Sequence, residues 1–312
     1  MCYRSASVKI CNLYKGVLYL LLATFTFSLV NLGVKLLSGP TYYFPNVREF
    51  PVYELVFFRS IISLSICITI VKMRKIPFFG NNKLWLFIRG ICGAIGLFLF
   101  FMTIQELPMA IATIAQYLSP VFTIIIAVFL LKEKVKWIQW FFFAISLSGI
   151  FVIGFDTDET GTITIGWLIV GIISALFSGM AYNAIMKCRD TDEPITVVMY
   201  FPLIAAPITL IACFVYGFII PIGIEWIILL LIGILTQIAQ VCMTRAFNAD
   251  SASTVAPLKY IGSIYAVLIG FFIFDETVGF FAGVGMTLII LGVVLNTWFK
   301  KRKFAHVSLD GK

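Results

Sequence analysis

The two halves of this 312-residue chain resemble each other at a nearly constant offset of 143 residues (260 − 117). Segment 117–135 reads YLSPVFTIIIAVFLLKEKV, and segment 260–278 reads YIGSIYAVLIGFFIFDETV. The identical pairs at this offset include Tyr117/Tyr260, Ile126/Ile269, Phe129/Phe272, Glu133/Glu276, Val135/Val278, Pro51/Pro194, Phe58/Phe201, Gly90/Gly233 and Gly149/Gly292. Self-similarity at a fixed spacing indicates a duplication, so the fold is one that two related units build together.

The composition excludes an ordinary soluble domain. Hydrophobic residues make up 61% of the chain, charged residues only 12%, and the mean hydropathy is +1.04. A water-facing fold does not bury that much apolar surface. A transmembrane helix needs roughly 20 apolar residues to cross about 30 Å of hydrocarbon. Ten spans are predicted, at 16–37, 52–71, 84–104, 108–131, 137–155, 164–187, 195–217, 224–247, 252–274 and 278–299.

Five spans per half is an odd number, so two copies inserted in sequence enter the membrane in opposite directions. We therefore predict an all-α membrane protein whose ten transmembrane helices form two inverted five-helix repeats. The first repeat is residues 1–155 and the second is residues 162–312, divided by the acidic loop 156–161. The first spans align at a larger offset of 152 (187 − 35), which places an insertion in the loop after the first span.

The basic residues indicate the membrane orientation. They cluster before the first span, after the second and fourth spans, and at the end of the chain, whereas the opposite loops hold mainly acids. By the positive-inside rule, both termini are cytoplasmic. This topology accounts for the net charge of +8, so no nucleic-acid partner is needed to explain it. We expect a multi-pass protein of a bacterial inner (plasma) membrane, surrounded by lipid, as a monomer or homodimer.

Two cations are predicted deep within spans. Arg59 lies near the middle of the second span, and Lys259 lies seven residues into the ninth. A charged group near a span centre costs roughly 2.5–3.5 kcal/mol on insertion scales, so each needs a reason to be there. We predict that both bind a substrate carboxylate. The alternative for Arg59 is a structural ion pair with Glu54 or Glu106.

Further polar residues lie late in related spans. Asn31 and Lys35 of the first span match Asn183 and Lys187 of the sixth, and Arg245 lies late in the eighth. All five are candidate substrate-binding residues. The alternative for the three cations is that their long side chains extend to the membrane interface.

A polar residue stands beside a tyrosine at equivalent places in the fourth and ninth spans. Gln116 and Tyr117 match Lys259 and Tyr260 across the duplication. Because equivalent places lie at the same depth, we predict that both pairs face one cavity and bind substrate. Hydrogen bonding between the helices is the alternative.

Two glutamines and two prolines complete the predicted site. Gln237 and Gln240 are three residues apart in the eighth span, share one helix face and extend the predicted lining. Pro120 and Pro257 lie within the fourth and ninth spans. A proline inside a helix removes a backbone hydrogen bond, so these positions are predicted hinges, with ordinary kinks as the alternative.

Enzyme signatures are missing from the sequence. The one histidine, His306, lies in the C-terminal tail, which excludes a catalytic triad or a histidine-ligated metal within the membrane. No GxxxxGK[ST] phosphate loop is present, so ATP does not drive the chain directly. We predict no enzymatic activity, no cofactor and no metal, and transport driven by a coupling ion or an exchange substrate.

Several motifs resemble a known family. They are RGxxG at 89–93, FLLKEKV at 129–135, APLKYI at 256–261 and FFIFDETV at 271–278. Together with ten spans in two repeats, they resemble the EamA branch of the drug/metabolite transporter superfamily over nearly the whole chain. Within that branch, the pattern of Lys35, Arg59 and the APLKY motif resembles that of carriers of S-adenosylmethionine and related metabolites. The resemblance implies a central cavity lined mainly by the first four spans of each repeat.

The sequence therefore predicts a secondary transporter. It moves a small polar metabolite, such as an amino acid, S-adenosylmethionine or a nucleotide-like solute, by alternating access. The alternative is a lipid flippase or channel on the same scaffold, which lipid-dependent rather than solute-saturable transport would reveal.

Overall fold

The described part of the chain is helical. The computed structural model describes residues 2–37, 47–106, 115–154, 165–274 and 280–309, and no strand occurs among them. The helices are Cys2–Leu36 (α1), Val52–Arg74 (α2), Lys83–Glu106 (α3), Ser119–Leu130 (α4), Trp137–Gly154 (α5), Ile165–Cys188 (α6), Pro194–Tyr216 (α7), Ile224–Ala249 (α8), Ala252–Val255 (α9), Ile261–Phe274 (α10) and Phe280–Leu309 (α11). A 3₁₀ segment, Ala256–Tyr260, joins α9 to α10. Helices satisfy their backbone polar groups internally, as hydrocarbon requires.

Six of these helices, α1, α2, α3, α6, α7 and α8, are long and apolar enough to cross a membrane. Shorter apolar helices cover Ser119–Leu130, Trp137–Val152 and Gly283–Phe299. The helical membrane architecture predicted from the sequence is thus confirmed. The first and last predicted spans lie in helices that extend beyond the apolar stretch, since α1 begins at Cys2 and α11 continues to Leu309. The predicted dividing loop 156–161 lies outside the described residues.

The predicted hinge prolines lie where the helical geometry of their spans changes. Pro120 is the second residue of α4 and follows a turn at Tyr117 and Leu118, and Pro257 lies in the 3₁₀ segment of a helical stretch from Ala252 to Phe274. Because proline has no N–H, the carbonyl oxygen of Ser253, four residues before Pro257, accepts a bond from Nδ2 of Asn296 at 3.0 Å instead. Whether the two prolines act as hinges stays a prediction. Among the described helices, α7 also contains prolines in its interior, Pro202 and Pro207.

One face of the bundle is held by a carboxylate. Glu133, just after α4, accepts a hydrogen bond from the backbone N–H of Ala252 at 2.9 Å, at the start of α9. The end of α8 lies on this face too, since Ala249 packs against Gly16 of α1. We call this the Glu133 face. It joins the first half of the chain to the second.

The opposite face is held by an ion pair. Arg48, in the segment before α2, donates to Glu225 at the start of α8 through Nη2 (2.7 Å) and Nε (3.2 Å). The hydrogen bond to Glu225 raises the pKa of Arg48, so its guanidinium stays charged. Leu37 at the end of α1 accepts a bond from the N–H of Phe50 nearby. We call this the Glu225 face.

Helices of the two halves pair with each other. The most extensive packing joins α1 to α8, α3 to α6, α5 to α11 and α2 to α7. Smaller interfaces join α4 to α6, α1 to α10, α2 to α8 and α3 to α7. Each of these pairs takes one helix from each half, so neither half forms its core alone.

Large apolar side chains cover the outside of the bundle. The related residues Phe129 on α4 and Phe272 on α10 are 79% and 74% exposed. Similar outward positions are taken by Phe214 of α7 and Trp298 of α11. An apolar surface of this kind suits lipid and not water, which agrees with a multi-pass membrane protein.

The α5–α11 interface is built on two glycines. A Cβ added at Gly149 would lie 2.6 Å from the carbonyl oxygen of Gly285. Reciprocally, a Cβ at Gly292 would lie 2.7 Å from the carbonyl oxygen of Phe142. Small residues let helix backbones approach closely. By contrast, a Cβ at Gly283, also on α11, would meet nothing within 4 Å.

We expect Gly292→Ala to destabilise the bundle by about 1–3 kcal/mol, the usual cost of overpacking, because backbone atoms of α5 must move. The matched control is Gly283→Ala on the same helix, which should be neutral or slightly stabilising because alanine favours helix. Thermal unfolding in detergent measures both variants. Equal stability of the two variants would contradict the close contact.

Candidate functional site

A cavity of about 160 Å³ lies between the two halves. Residues of α1, α2, α3, α6, α7, α8, α10, the 3₁₀ segment and the turn before α4 line it. Six residues predicted from the sequence are among them: Asn31, Arg59, Gln116, Tyr117, Gln240 and Lys259. Both halves therefore contribute polar groups to one chamber.

Arg59 is buried in the cavity wall without an ionic partner. Its side chain is 2% exposed, and its buried Nε has no hydrogen-bond partner. The guanidinium carbon lies 5.5 Å from the ring centroid of Phe201 and 5.8 Å from that of Phe101. Glu54 is engaged elsewhere, accepting a bond from the N–H of Ile219 at 2.9 Å. The structure shows no ion pair between Arg59 and Glu54 or Glu106, both of which are described.

Arg89 of α3 is a second buried guanidinium, which the sequence analysis did not include in the site. It is 2% exposed, and its Nη2 donates to Oε1 of Gln240 at 2.8 Å. Its guanidinium carbon lies 5.9 Å from the ring centroid of Phe201, so both arginines lie beside the same ring. The signal was available: Arg89 lies five residues into the third span (89 − 84), much as Lys259 lies seven residues into the ninth (259 − 252).

Lys259 reaches the cavity from the 3₁₀ segment. Its Nζ donates to the hydroxyl of Tyr182 at 2.8 Å and to that of Ser119 at 3.0 Å. The ammonium also lies 4.1 Å from the ring centroid of Tyr182, which stacks on Phe247. The first half of the chain thus supplies the Ser119 contact, and the second half supplies the lysine.

Gln116 occupies the place equivalent to Lys259 and binds the same helix. Its Nε2 donates to Oγ of Ser178 at 3.1 Å, and its Oε1 accepts from Ser174 at 3.0 Å. Ser174, Ser178 and Tyr182 are four residues apart, so they form one polar row along α6. This row connects the two polar residues that the duplication relates.

The duplicated tyrosines meet between the halves, but only one of them lines the cavity. The ring centroids of Tyr117 and Tyr260 are 6.2 Å apart in an edge-to-face contact. Tyr117 borders the cavity. Tyr260 is 1% exposed and packs with Ile150 and Ile289 behind it. Tyr260 therefore supports Tyr117 and does not reach the chamber.

Two predicted residues hold helices together outside the cavity. Asn183 donates from Nδ2 to the carbonyl oxygen of Thr123 at 3.0 Å, which joins α6 to α4. Gln237 accepts a bond from Ser63 at 2.5 Å and donates to Sγ of Cys67, which joins α8 to α2. Neither residue is among those that line the cavity.

The three cations predicted near span ends also lie outside the cavity lining. Lys35 is in the last turn of α1. The ammonium of Lys187 lies 5.8 Å from the ring centroid of Trp85, and the guanidinium of Arg245 lies 5.6 Å from that of Tyr19. Of the five predicted cations, Arg59 and Lys259 therefore line the cavity, and Arg89, which was not predicted, lies beside them.

The cavity carries positive charge without a matching carboxylate. Its lining includes Arg59, Arg89 and Lys259, and none of the lining residues in the described ranges is Asp or Glu. A buried charge costs several kcal/mol unless it is paired, and an aromatic contact returns only about 2 kcal/mol even when desolvated. The arrangement can bind an anion, because the guanidinium groups offer donors that suit carboxylate and phosphate oxygens.

If Arg59 binds a ligand and does not stabilise the fold, replacing it removes an unpaired buried charge. We expect Arg59→Met to raise the free energy of unfolding of the ligand-free protein by about 1–3 kcal/mol, the mutational cost of a buried polar group without a partner. Thermal and denaturant unfolding in detergent measure this change.

The matched control is Arg48→Met at the paired arginine. This variant leaves the 3%-exposed Glu225 without its ionic partner. We therefore expect a loss of stability, which the partial exposure of Arg48 itself keeps moderate. A loss of stability in Arg59→Met as large as that in Arg48→Met would assign Arg59 a structural role.

Comparison with known proteins gives consistent matches. The sequence model of the EamA-like transporter family matches residues 14–155 and again residues 165–298. The pseudopaline exporter of Pseudomonas aeruginosa is 29% identical, over 93% of this chain and 98% of its own length. Solute carrier family 35 member G1 of Mus musculus is 26% identical, over 92% of this chain and 80% of its own length.

Two further similarities bear on function and fold separately. The S-adenosylmethionine uptake transporter of Rickettsia prowazekii is 26% identical, over 72% of this chain and 75% of its own length. A solved crystal structure superposes with a TM-score of 0.75 at 16% identity, covering 95% of this chain and 98% of that one. The latter likeness concerns the fold alone.

Proposed function

The chain belongs to the EamA-like transporter family, and from that premise we propose that it is a secondary transporter of a small polar metabolite, working by alternating access. The observation that carries the proposal is the chamber between the halves, whose wall combines Arg59 of the first half with Lys259 of the second. A solute bound there contacts both halves, so their relative movement can expose it to either side of the membrane.

The two halves are inverted repeats, residues 1–155 and 162–312. Two separate matches of one family model support this division. The helix pairing supports it too, because exchanging the halves converts α1–α8 into α3–α6 and leaves α2–α7 and α5–α11 unchanged. The reciprocal contacts of Gly149 and Gly292 follow the same symmetry. An odd number of spans per repeat makes the two copies opposite in direction.

The faces of the bundle open in turn. Arg48 and Glu225 join the halves on one face, and Glu133 joins α9 on the other. Pro120 follows Tyr117, and Pro257 precedes Lys259, so both prolines lie close to cavity residues. Kinks at these prolines act as hinges that help the repeats rock.

The Glu133 face is cytoplasmic, and so are both termini. Lys72, Lys132, Lys134 and Lys136 lie at helix ends on or next to this face, which agrees with the positive-inside rule. The protein resides in the plasma membrane of a bacterium, as a monomer or homodimer. Movement is driven by a coupling ion or by exchange of one solute for another.

The candidate solutes are amino acids, nucleotide-like metabolites and S-adenosylmethionine. Relatives named for the export of pseudopaline and for the uptake of S-adenosylmethionine support a metabolite of this size range. Counterflow into proteoliposomes loaded with each solute tests the panel in both directions. Saturable exchange supports a carrier, whereas lipid scrambling or unsaturable flux would support the flippase or channel alternative.

For the solute that exchanges, we expect Arg59→Gln to lower uptake efficiency by about 10–100-fold, because a charge-assisted hydrogen bond contributes about 1.5–3 kcal/mol. The control is Lys72→Gln, which removes an exposed cation from the same helix. Initial rates of uptake into proteoliposomes give the comparison. Full activity of a folded Arg59→Gln protein would contradict the proposed binding role.

A further inference from the structure

The charge of the chamber restricts the substrate further than its polarity does. Arg59, Arg89 and Lys259 border one space, and no carboxylate is found among the described lining residues. The cations come from three separate elements, α2, α3 and the 3₁₀ segment. One carboxylate neutralises only one of them, and the others would stay unpaired at low dielectric.

The arginines keep unused donors. A guanidinium has five N–H groups, and the bond from Arg89 to Gln240 uses one of them. The Nε atoms of both Arg59 and Arg89 are buried without a hydrogen-bond partner. Both guanidinium carbons lie close to the ring of Phe201, at 5.5 Å and 5.9 Å from its centroid. Two neighbouring forks of donors suit one planar or tetrahedral anion.

Lys259 supplies a separate point of attachment. An ammonium has three donors, and two of them bind Tyr182 and Ser119. The third donor remains for a ligand. Lys259 belongs to the other half of the chain and is bound to neutral groups only, so it attracts a second negative charge.

We propose that the substrate is a compact anion with at least two negatively charged groups, a di- or tricarboxylate or a small phosphate ester. One group binds Arg59 and Arg89, and the other binds Lys259. The inference rests on the proposed transport function and names the substrate class of that same cavity. Arg89, oriented by Gln240, adds the third positive charge of the chamber and so favours a dianion over a monoanion.

The size of the chamber agrees with a small ligand. Its volume is about 160 Å³, and a cavity of about 150 Å³ holds one benzene molecule. An acid of about four to six carbon atoms is of this order, whereas a nucleotide needs a wider chamber. S-adenosylmethionine carries a sulfonium and an ammonium, so it would bring further positive charge beside the arginines.

A charge series of equal size tests the proposal. Succinate, succinamate and succinamide differ by replacement of one or two carboxylates with amides, so their charges are −2, −1 and 0. Citrate and 3-phosphoglycerate extend the series, and methionine and S-adenosylmethionine represent the other classes. Each solute competes with the counterflow of labelled succinate. We expect the inhibition constant to rise by at least about tenfold for each charge removed from succinate.

A change at Gln240 tests the selecting role of Arg89 without removing the arginine. Gln240→Glu has nearly the same shape but pairs Arg89 internally and lowers the charge of the chamber by one. We expect its half-saturation concentration for succinate to rise about tenfold or more, and the ratio of succinate to succinamate affinity to fall. Gln240→Met removes the hydrogen bond without adding charge, so it should change this ratio by less than about threefold.

The outcomes separate the two proposals. Saturable counterflow by methionine or S-adenosylmethionine, with succinate, citrate and 3-phosphoglycerate inert, would overturn the dianion inference and leave the transport function standing. Absence of saturable counterflow for every solute would overturn both. An equal succinate-to-succinamate ratio in Gln240→Glu and Gln240→Met would remove Arg89 from the selecting role. Where Gln240→Glu does not fold, Lys259→Gln lowers the charge equally and carries the same expectation.

Discussion

Uncompensated positive charge at the centre of an apolar bundle is the constraint around which the rest of this structure is arranged. Arg59 and Arg89 are almost fully buried, lie beside Phe201 and have unused donors. Lys259 joins them from the other half, bound to neutral oxygens. In hydrocarbon such charges lower the stability of the ligand-free fold. Their presence is explained when an anion from solution completes the site, because binding then recovers the cost.

The fold can carry this charge because its stabilising contacts lie elsewhere. Reciprocal glycine contacts at Gly149 and Gly292 bring α5 and α11 together at the periphery. At the two faces, the Arg48–Glu225 pair and the Glu133 carboxylate link the halves. The polar links are few and lie near helix ends, and the extended apolar surface faces lipid. In the proposed alternating access, such a bundle opens the polar link of one face at a time and keeps the α5–α11 contact.

Much of the architecture was predictable from the sequence, because the membrane imposes it. Apolar stretches of about 20 residues must be helical in lipid, since no other partner satisfies their backbone. The course of the fourth and ninth spans was predicted less well. A turn at Tyr117 and Leu118 precedes Pro120, and Pro257 lies in a 3₁₀ segment of a helical stretch from Ala252 to Phe274. Hydropathy marks a span, but it does not predict a local change from α to 3₁₀ geometry within the span.

The residues of the candidate site, too, were only partly predictable from the sequence. A charge inside an apolar span needs a reason, and this rule identified Arg59 and Lys259 from the sequence, whereas the duplication identified Gln116. It did not separate Gln240, which faces Arg89, from Gln237, which binds α2. Hydropathy and duplication determine that polar residues lie within the membrane and at what depth. Which of them share a chamber depends on helix rotation and pairing, and these are fixed only by contacts between the halves.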